Sequence, residues 1–276
     1  MMATTRGQYL WMATERGAMG RGRPRPFSIC LRCMRLKDTP MLSAVVAIGT
    51  LVTVAGQVHG KPELVWIFTP LTSAVISWAA WRRGVLADRY AQGVFIGLLL
   101  CLFADLALIP RAGVAAGAVF VGASTLAFMF ACGADAMSAR GWPLALTALA
   151  VQGALIASVW PALSPPLLAL AALVGMLGAV ALAAFATRAR RLRAGGLHGW
   201  KSAPLAVIGQ ALLVLATSLR MIDQATQVSW APIWIQPMHW LALTLLALSI
   251  PWHAQRISEN EGVAAVDDAG PRAGVR

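Results

Sequence analysis

The stretch LLLCLFADLALIP, from Leu98 to Pro110, places one ionisable side chain, Asp105, in an apolar run that extends over residues 91–109. A run of about 20 apolar residues is what an α-helix needs to cross the hydrocarbon core of a bilayer. A carboxylate inside such a run is costly, so it normally faces protein or a wet cavity rather than lipid, and it marks a functional position by default. The stretch therefore predicts a membrane-spanning helix that carries a functional acid.

Apolar runs of similar length recur along most of the 276 residues, of which 58% are hydrophobic and only 12% are charged. Most of the runs lack the polar face with helical period that a helix of a soluble protein would show. The predicted fold class is therefore an all-α integral membrane protein, a bundle of eight transmembrane helices within residues 41–253. The runs fall at about 41–59, 64–81, 91–109, 112–132, 143–160, 165–186, 203–222 and 233–253.

Basic residues are distributed unevenly between the loops. The loops after the second, fourth and sixth runs hold nine Lys and Arg residues, whereas those after the first, third, fifth and seventh hold two. Cytoplasmic loops carry the excess of Lys and Arg in membrane proteins. We therefore expect both ends of the bundle to be cytoplasmic, and in the absence of an organelle signal we expect the inner (plasma) membrane of a bacterium.

The two terminal segments are polar and are predicted to be disordered. Residues 1–40 hold eight of the 23 basic residues, including the stretch RGRPRP, and form a basic arm that can contact anionic lipid headgroups. Alternatively, the working start of the chain is Met34 or Met41 and the arm is dispensable. The tail over 254–276 consists mostly of small and polar residues. Because the net charge of +12 is placed around a membrane domain, we expect no nucleic-acid partner.

The four cysteines do not indicate a metal site. Cys30 and Cys33 form a single CxxC pair without a second pair or a nearby His, whereas a structural zinc site needs four ligands. Cys101 and Cys132 lie in apolar runs and are interpreted as packing residues. We expect neither a metal site nor a cofactor.

Small residues recur at every fourth position before Asp105. They are Cys101, Gly97 and Gly93, and the last two form a GxxxG pattern. Such a stripe lets a neighbouring helix approach closely. We therefore expect Asp105, on the same face, to point toward another helix.

Six polar positions from distant parts of the chain are expected to lie in one layer near the outer ends of the helices. Asp105 precedes the outer end of its run, at Ile109, by four residues, or about 6 Å of helical rise. His239 lies six residues into the eighth run, or roughly 9 Å. The six are Lys61, Asp105, Thr217, Arg220, Asp223 and His239.

Most of these positions also have a purely structural explanation. Lys61 and Arg220 can extend their charges to the membrane interface, and Asp223 can form a surface ion pair with Arg220, three residues earlier. His239 can be a packed histidine bonded to a backbone carbonyl. Asp105 can be a structural partner of Lys61 or Arg220, although a functional role is the first hypothesis for a carboxylate inside a membrane.

The ordered set of features resembles the YhhN family of eight-helix membrane proteins, which includes the mammalian lysoplasmalogenases. Lys61-Pro62 resembles the family's Lys-Pro ahead of the second helix. GLLLCLFADLALIP, Gly97 to Pro110, is similar to the family's glycine-led run that ends in Gly-Asp and Leu. GQALLVLATSLRMID, Gly209 to Asp223, resembles a later segment that normally reads Ser-Asp-Ser. The resemblance covers roughly residues 41–253.

The sequence departs from the family pattern at several positions. Thr217, preceded by Ala216, stands where the family has its second acidic residue, and Ala104 replaces the Gly before Asp105. The segment VFVGASTLAFMFACG resembles one that carries an aromatic, a His and a Tyr, but has Phe130 and Gly133 at the last two positions. The Gln expected near the end of helix eight is not evident in HWLALTLLALS.

The resemblance implies hydrolysis of the vinyl ether of a lysoplasmalogen to an aldehyde and a glycerophospho-headgroup. This chemistry protonates the alkene carbon and captures an oxocarbenium-like cation with water, so it needs a general acid and a second group that steadies the cation or activates the water. We expect Asp105 in one role and Asp223 or His239 in the other. Lys61, Arg220 and Thr217 are expected to bind the substrate. The two cations, Lys61 and Arg220, would bind its phosphate.

The alternative is a catalytically inactive relative that binds a lipid or another amphiphile, or serves as a structural membrane protein. The joint replacement of the second acid, the His and the Tyr favours this alternative, whereas the retained Asp105 and Lys61 favour a working site. A transporter has less support, because no inverted repeat and no helix broken in mid-span by Gly and Pro is visible. In both main interpretations the expected partners are a lysophospholipid-type amphiphile and membrane lipid.

Overall fold

The computed structural model describes residues 28–85, 88–109, 113–133, 142–159, 161, 164–194, 202–226 and 231–251. Within these ranges there are eight α-helices and no strand. The helices are α1 (Ser28–Val58), α2 (Pro62–Arg82), α3 (Arg89–Ala107), α4 (Val114–Cys132), α5 (Trp142–Val159), α6 (Pro165–Ala194), α7 (Ala203–Thr226) and α8 (Ala231–Leu248).

Six of the helices are long and apolar enough to cross a membrane, judged by length and composition. They are α1 from Pro40 onward, α2, α3, α4, α6 and α7 up to Arg220. In α5 and α8 the apolar portions are shorter, Trp142–Ser158 and Ile233–Leu248. The prediction of an all-α, multi-pass membrane protein is thus confirmed, and six of the eight predicted spans reach the required length in the part of the chain described.

The first helix begins earlier than the sequence predicted. α1 starts at Ser28 and contains Pro40, so its first turns fall inside the segment that we expected to be a disordered arm. Leu, Met, Arg and Lys, all favourable in helices, make up most of residues 31–37. Residues 1–27 of the predicted arm and the predicted tail over 254–276 lie outside the described residues. Met41 begins a second compact unit of the chain.

Six helices pack in succession around the core of this unit. The order of neighbours is α2, α3, α4, α6, α7 and α8, and α8 closes the series on α2 and α3. α5 lies against α6 and α7, and α1 approaches α2 closely at Gly49, where an added Cβ would lie 2.2 Å from the hydroxyl oxygen of Thr72. Trp240, Phe128 and Phe185 are among the largest fully buried side chains of the core.

Polar contacts join the ends of α2, α3 and α8 at one end of the bundle. The Arg83 guanidinium donates to the backbone oxygens of Leu248 (3.3 Å) and Ile250 (3.2 Å), which satisfies carbonyls that have no partner within α8. At the start of α3, the Tyr90 hydroxyl lies 2.7 Å from Ser249 Oγ. We refer to this end as the Arg83 end. The last turn of α3 therefore lies at the opposite end, the Asp105 end.

The stripe of small residues on α3 faces α4. An added Cβ at Gly93 would lie 2.7–2.9 Å from the backbone and Cβ of Ala131, and one at Gly97 would lie 2.1 Å from the Phe128 ring. Gly93, Gly97 and Asp105 are all buried. The prediction that this face points inward is confirmed, and the close approach of the two backbones explains why glycine occupies it.

We expect Gly93→Ala to lower the free energy of unfolding by about 1–3 kcal/mol, because the added methyl group meets the α4 backbone and forces the helices apart. Gly153→Ala on α5 is the matched control, since an added Cβ there meets nothing within 4 Å. The measurement is thermal unfolding of both purified variants in detergent. Equal midpoints for the two variants would show that the α3–α4 approach does not constrain stability.

Candidate functional site

Asp105 lies in the last turn of α3, which ends at Ala107 rather than at the predicted Ile109. The residue is 2% exposed and its side chain is fully buried. Ser73 of α2 donates its hydroxyl to Oδ2 at 2.5 Å. The carboxylate is therefore held between helices, as expected for an acid inside a membrane protein.

Two groups that can carry positive charge face the other oxygen of Asp105. Oδ1 lies 3.7 Å from Arg220 Nη1 and 3.5 Å from His239 Nε2. These separations are too long for good hydrogen bonds, and within the described residues neither Oδ1 nor His239 Nε2 has a hydrogen-bond partner. The arrangement compensates the buried charge, and it leaves the hydrogen-bonding capacity of Oδ1 and Nε2 unused.

The guanidinium of Arg220 is held by a second contact. Its Nη2 donates to Gln236 Oε1 of α8 at 2.7 Å, and the side chain keeps 24% exposure. Because the fork of guanidinium donors is planar, fixing one nitrogen also sets the direction of the others. Gln236 therefore orients Arg220 between Asp105 and the space beside it.

A cavity of about 270 Å³, the polar cavity, opens beside this cluster. Apolar side chains of α2, α8 and the residues that follow α3, such as Trp66, Ile235 and Leu108, form part of its wall. Several buried polar atoms in its wall lack a hydrogen-bond partner among the described residues, including Gln57 Oε1, Thr69 Oγ1 and Gln236 Nε2. The polar residues that line it are Gln57, Thr69, Asp105, Arg220, Asp223 and Gln236.

A narrower opening, the junction crevice, adjoins the polar cavity. It is about 30 Å³ and runs between α3, α4, α7 and α8. Thr217, Arg220 and His239 line it together with aliphatic side chains. Arg220 and Leu108 border both openings, so the cluster around Asp105 stands where the two meet.

The structure brings five of the six predicted positions to this place. Asp105, Arg220 and Asp223 line the polar cavity, and Thr217 and His239 line the junction crevice. Lys61 precedes α2 and is exposed, and it is not among the described residues that line either opening. The chemical roles assigned to the six residues stay predictions.

Thr217 is directed toward its own helix. Its hydroxyl donates to the backbone oxygen of Leu213 at 2.8 Å, a bond that Ser and Thr often make inside helices. Thr217 therefore lines the crevice with its hydroxyl hydrogen already committed, which limits what it can offer in place of the acid that the resemblance implies there.

The sequence reasoning missed Ser73, Thr69 and Gln236, because it considered mainly charged residues in the spans. All three are buried and lie at the Asp105 end. The available signal was depth: Thr69 is the eighth residue of α2 and Gln236 the sixth of α8, or about 11 and 8 Å of helical rise from the start of each helix. Counting helical rise for uncharged polar side chains, as was done for the charged ones, would have placed Thr69 and Gln236 in the same layer as Asp105.

Phe130 and Gly133, the positions where the resemblance implies a His and a Tyr, lie far from Asp105. Arg89, at the start of α3, lies over the Phe130 ring at 4.2 Å, and Gly133 follows α4 at the same end. Asp105 is 16 residues beyond Arg89, or roughly 24 Å of helical rise. Phe130 and Gly133 therefore remove no group from the surroundings of Asp105.

Comparison with known proteins gives one result. A family model described as the YhhN family matches residues 64–250, which is 187 of the 276 residues. The matched range includes Asp105 and the side chains that contact it, Ser73, Arg220 and His239, as well as Gln236. No curated protein and no solved structure gives a match. Among the described residues there is also no group of three or more His, Cys, Asp or Glu placed to hold a metal ion.

Proposed function

Because the chain belongs to the YhhN family, we propose that it is a membrane hydrolase that cleaves the vinyl ether of lysoplasmalogens. The observation that carries the proposal is the buried pair of Asp105 and His239, whose Oδ1 and Nε2 lie 3.5 Å apart without a hydrogen bond, with Asp105 in the wall of the polar cavity and His239 in that of the junction crevice. Two ionisable groups held together in this way fit a reaction that needs both a proton donor and a stabilised cation.

The proposal includes a placement in the membrane. All eight helices cross the bilayer, both ends of the bundle are cytoplasmic, and the membrane is the inner membrane of a bacterium. α5 and α8 have 18 residues each, or about 27 Å of rise, close to the roughly 30 Å of a hydrocarbon core. The excess of Lys and Arg on the loops after α2, α4 and α6 favours the Arg83 end as the cytoplasmic one.

In the first step, protonated His239 donates its Nε2 proton to the alkene carbon farther from the ether oxygen. The cation that forms is shared between the neighbouring carbon and the ether oxygen. The carboxylate of Asp105 lies next to this charge and stabilises it, as a carboxylate does in glycosidases. The Arg220 guanidinium and the Ser73 hydroxyl hold the carboxylate in place.

In the second step, water adds to the cationic carbon and forms a hemiacetal. His239, now neutral, or Asp223 in the polar cavity accepts the proton of this water. The hemiacetal then breaks its bond to the ether oxygen, which takes a proton and leaves as the glycerol hydroxyl, while the other oxygen becomes the aldehyde. One water is consumed in each turnover. The exposed part of Arg220 binds the substrate phosphate, and Lys61 assists from the start of α2.

The test is aldehyde release from a lysoplasmalogen by the purified full-length protein in liposomes. In D₂O we expect one deuterium on the carbon next to the aldehyde, because the alkene carbon takes its proton from the site. The matched saturated alkyl ether is expected to remain intact, since it has no alkene to protonate. Absence of aldehyde, or equal cleavage of both ethers, would refute the proposed function.

One observation favours the second candidate, a catalytically inactive relative that binds an amphiphile. Thr217 replaces the family's second acid and its hydroxyl is bonded within α7, so this position supplies no carboxylate. On this alternative the wild-type protein binds the lysolipid without releasing aldehyde. Activity gained in Thr217→Asp would then identify the missing acid as the cause.

A further inference from the structure

The junction crevice adjoins a third opening, which we term the side slot. The side slot lies between α4, α5, α6 and α7 and is about 30 Å³. It shares Val121 and Thr217 with the junction crevice, which in turn shares Leu108 and Arg220 with the polar cavity. The three openings therefore form one succession that leads from the Asp105 end into the interior.

Asp105 and His239 lie between the wide polar cavity and the two narrow openings, the junction crevice and the side slot. Asp105 lies in the wall of the polar cavity and His239 in the wall of the junction crevice. A molecule whose reacting atoms contact both groups must have one part in each opening. The part in the crevice points toward the side slot.

The narrow parts have the dimensions and chemistry of a passage for an alkyl chain. The crevice and the slot are about 30 Å³ each, on a scale where one water needs about 10–15 Å³. Aliphatic side chains and glycines make up most of both walls. A slender apolar passage of this kind suits a single unbranched hydrocarbon chain, whereas the polar cavity suits a headgroup.

A buried carboxamide stands at the far end of the slot. Gln210 is the lining residue of α7 farthest from Arg220, ten residues or about 15 Å away. It is fully buried, and neither its Nε2 nor its Oε1 has a partner among the described residues. The other amide in the slot differs, because Gln152 donates to Ser218 Oγ at 2.6 Å. Alkyl contact with the unpartnered amide is unfavourable, so Gln210 limits how far a chain can enter.

We propose that the junction crevice and the side slot bind the hydrocarbon chain of a single-chain lipid, and that Gln210 sets the longest chain accommodated. The direction of the chain rests on the proposed function, because it places the vinyl ether at Asp105 and His239. The class of ligand is a lysolipid with one unbranched chain, its headgroup in the polar cavity and its terminal methyl group toward Gln210.

The dependence of turnover on chain length tests the closed end of the slot. For wild-type protein, kcat/KM is expected to rise about fourfold with each added methylene and to stop rising when the chain reaches Gln210. In Gln210→Leu, which keeps the size and removes the amide, the rise extends to longer chains. An unchanged limit in this variant would overturn the role of Gln210.

A bulky side chain at Val121, which lines both the junction crevice and the side slot, tests whether the alkyl chain extends from one into the other. Val121→Phe fills the junction of crevice and slot, and it is expected to lower kcat/KM for a long-chain lysolipid by about 16-fold or more, the equivalent of two lost methylenes at about fourfold each. A short-chain substrate with the same headgroup is affected much less. Val119→Phe is the matched control, because Val119 lies on the same helix and is 58% exposed. Equal losses with long and short chains would overturn the proposal.

A binding measurement separates this inference from the proposed function. The probe is a saturated alkyl ether lysophospholipid, which is not hydrolysed, with a diazirine at the chain terminus. We expect saturable photolabelling of the α7 segment around Gln210, lost in Val121→Phe and retained in Val119→Phe. Labelling confined to exposed residues, or labelling that does not saturate, would overturn the chain subsite. Aldehyde release by the wild-type protein separately decides whether the protein is a hydrolase.

Discussion

Asp105→Asn is expected to lower kcat/KM for lysoplasmalogen hydrolysis by about 100- to 1,000-fold. The substitution keeps the shape of the side chain and removes the negative charge that stabilises the cationic intermediate. The charge of Arg220, 3.7 Å away, then opposes the developing cation instead of being compensated by the carboxylate. Aldehyde release under substrate-limited conditions measures the effect.

The matched control for this prediction is Glu63→Gln. Glu63 is an exposed acid in the first turn of α2, outside the described walls of the polar cavity, and its neutralisation is expected to leave turnover unchanged. Because a buried charge left without its partner can destabilise a protein by about 3–5 kcal/mol, thermal unfolding of both variants is measured alongside. Full activity in a folded Asp105→Asn protein would refute the catalytic assignment of Asp105.

His239→Gln is expected to lower kcat by about 100- to 10,000-fold with a much smaller change in KM. Glutamine preserves a polar side chain of similar reach but cannot carry the proton that begins the reaction. The loss therefore falls on the chemical step and not on substrate binding. Steady-state kinetics over a range of lysoplasmalogen concentrations separate the two constants.

Comparison with Asp223→Asn decides between the two proton-transfer groups. Asp223 lines the polar cavity, whereas His239 lies 3.5 Å from Asp105. We expect kcat to fall less in Asp223→Asn than in His239→Gln. Asp223 is only one of two groups that can accept the proton of the attacking water, so its loss affects that step alone. A larger loss in Asp223→Asn than in His239→Gln would transfer the role of proton donor to Asp223. A raised KM with unchanged kcat in His239→Gln would instead indicate a residue that only binds substrate.

The sequence predicted the helices well because the signals that form them are local. The lengths of apolar runs predicted all eight helices, and the four-residue spacing of Gly93, Gly97, Cys101 and Asp105 predicted the buried face of α3. Hydropathy was a poorer guide to where helices end. α6 continues to Ala194, beyond the predicted 186, because Arg-rich turns keep the backbone hydrogen bonds of a helix after the apolar run has finished.

Depth along the helices also gave much of the site. Counting residues from the helix ends placed Asp105, Arg220, Asp223 and His239 in one layer, and contacts and shared cavity walls join them in the structure. Lys61 was expected in the same layer because it lies in the outer loop before the second helix, and in the structure it is exposed before α2 and lines neither the polar cavity nor the junction crevice. A count of helical rise gives height along the bundle and not the direction of a side chain at the end of a helix.

By itself the sequence determined that this is a multi-pass helical membrane protein and that Asp105 faces inward, because run length and helical period are properties of consecutive residues. Only the tertiary structure decided that Ser73 and Gln236 support the acid and its arginine, that Thr217 bonds to its own helix, and that His239 lines a crevice that shares Leu108 and Arg220 with the polar cavity. These features depend on which faces of separate helices meet, and that is set by side-chain packing between segments far apart in the chain.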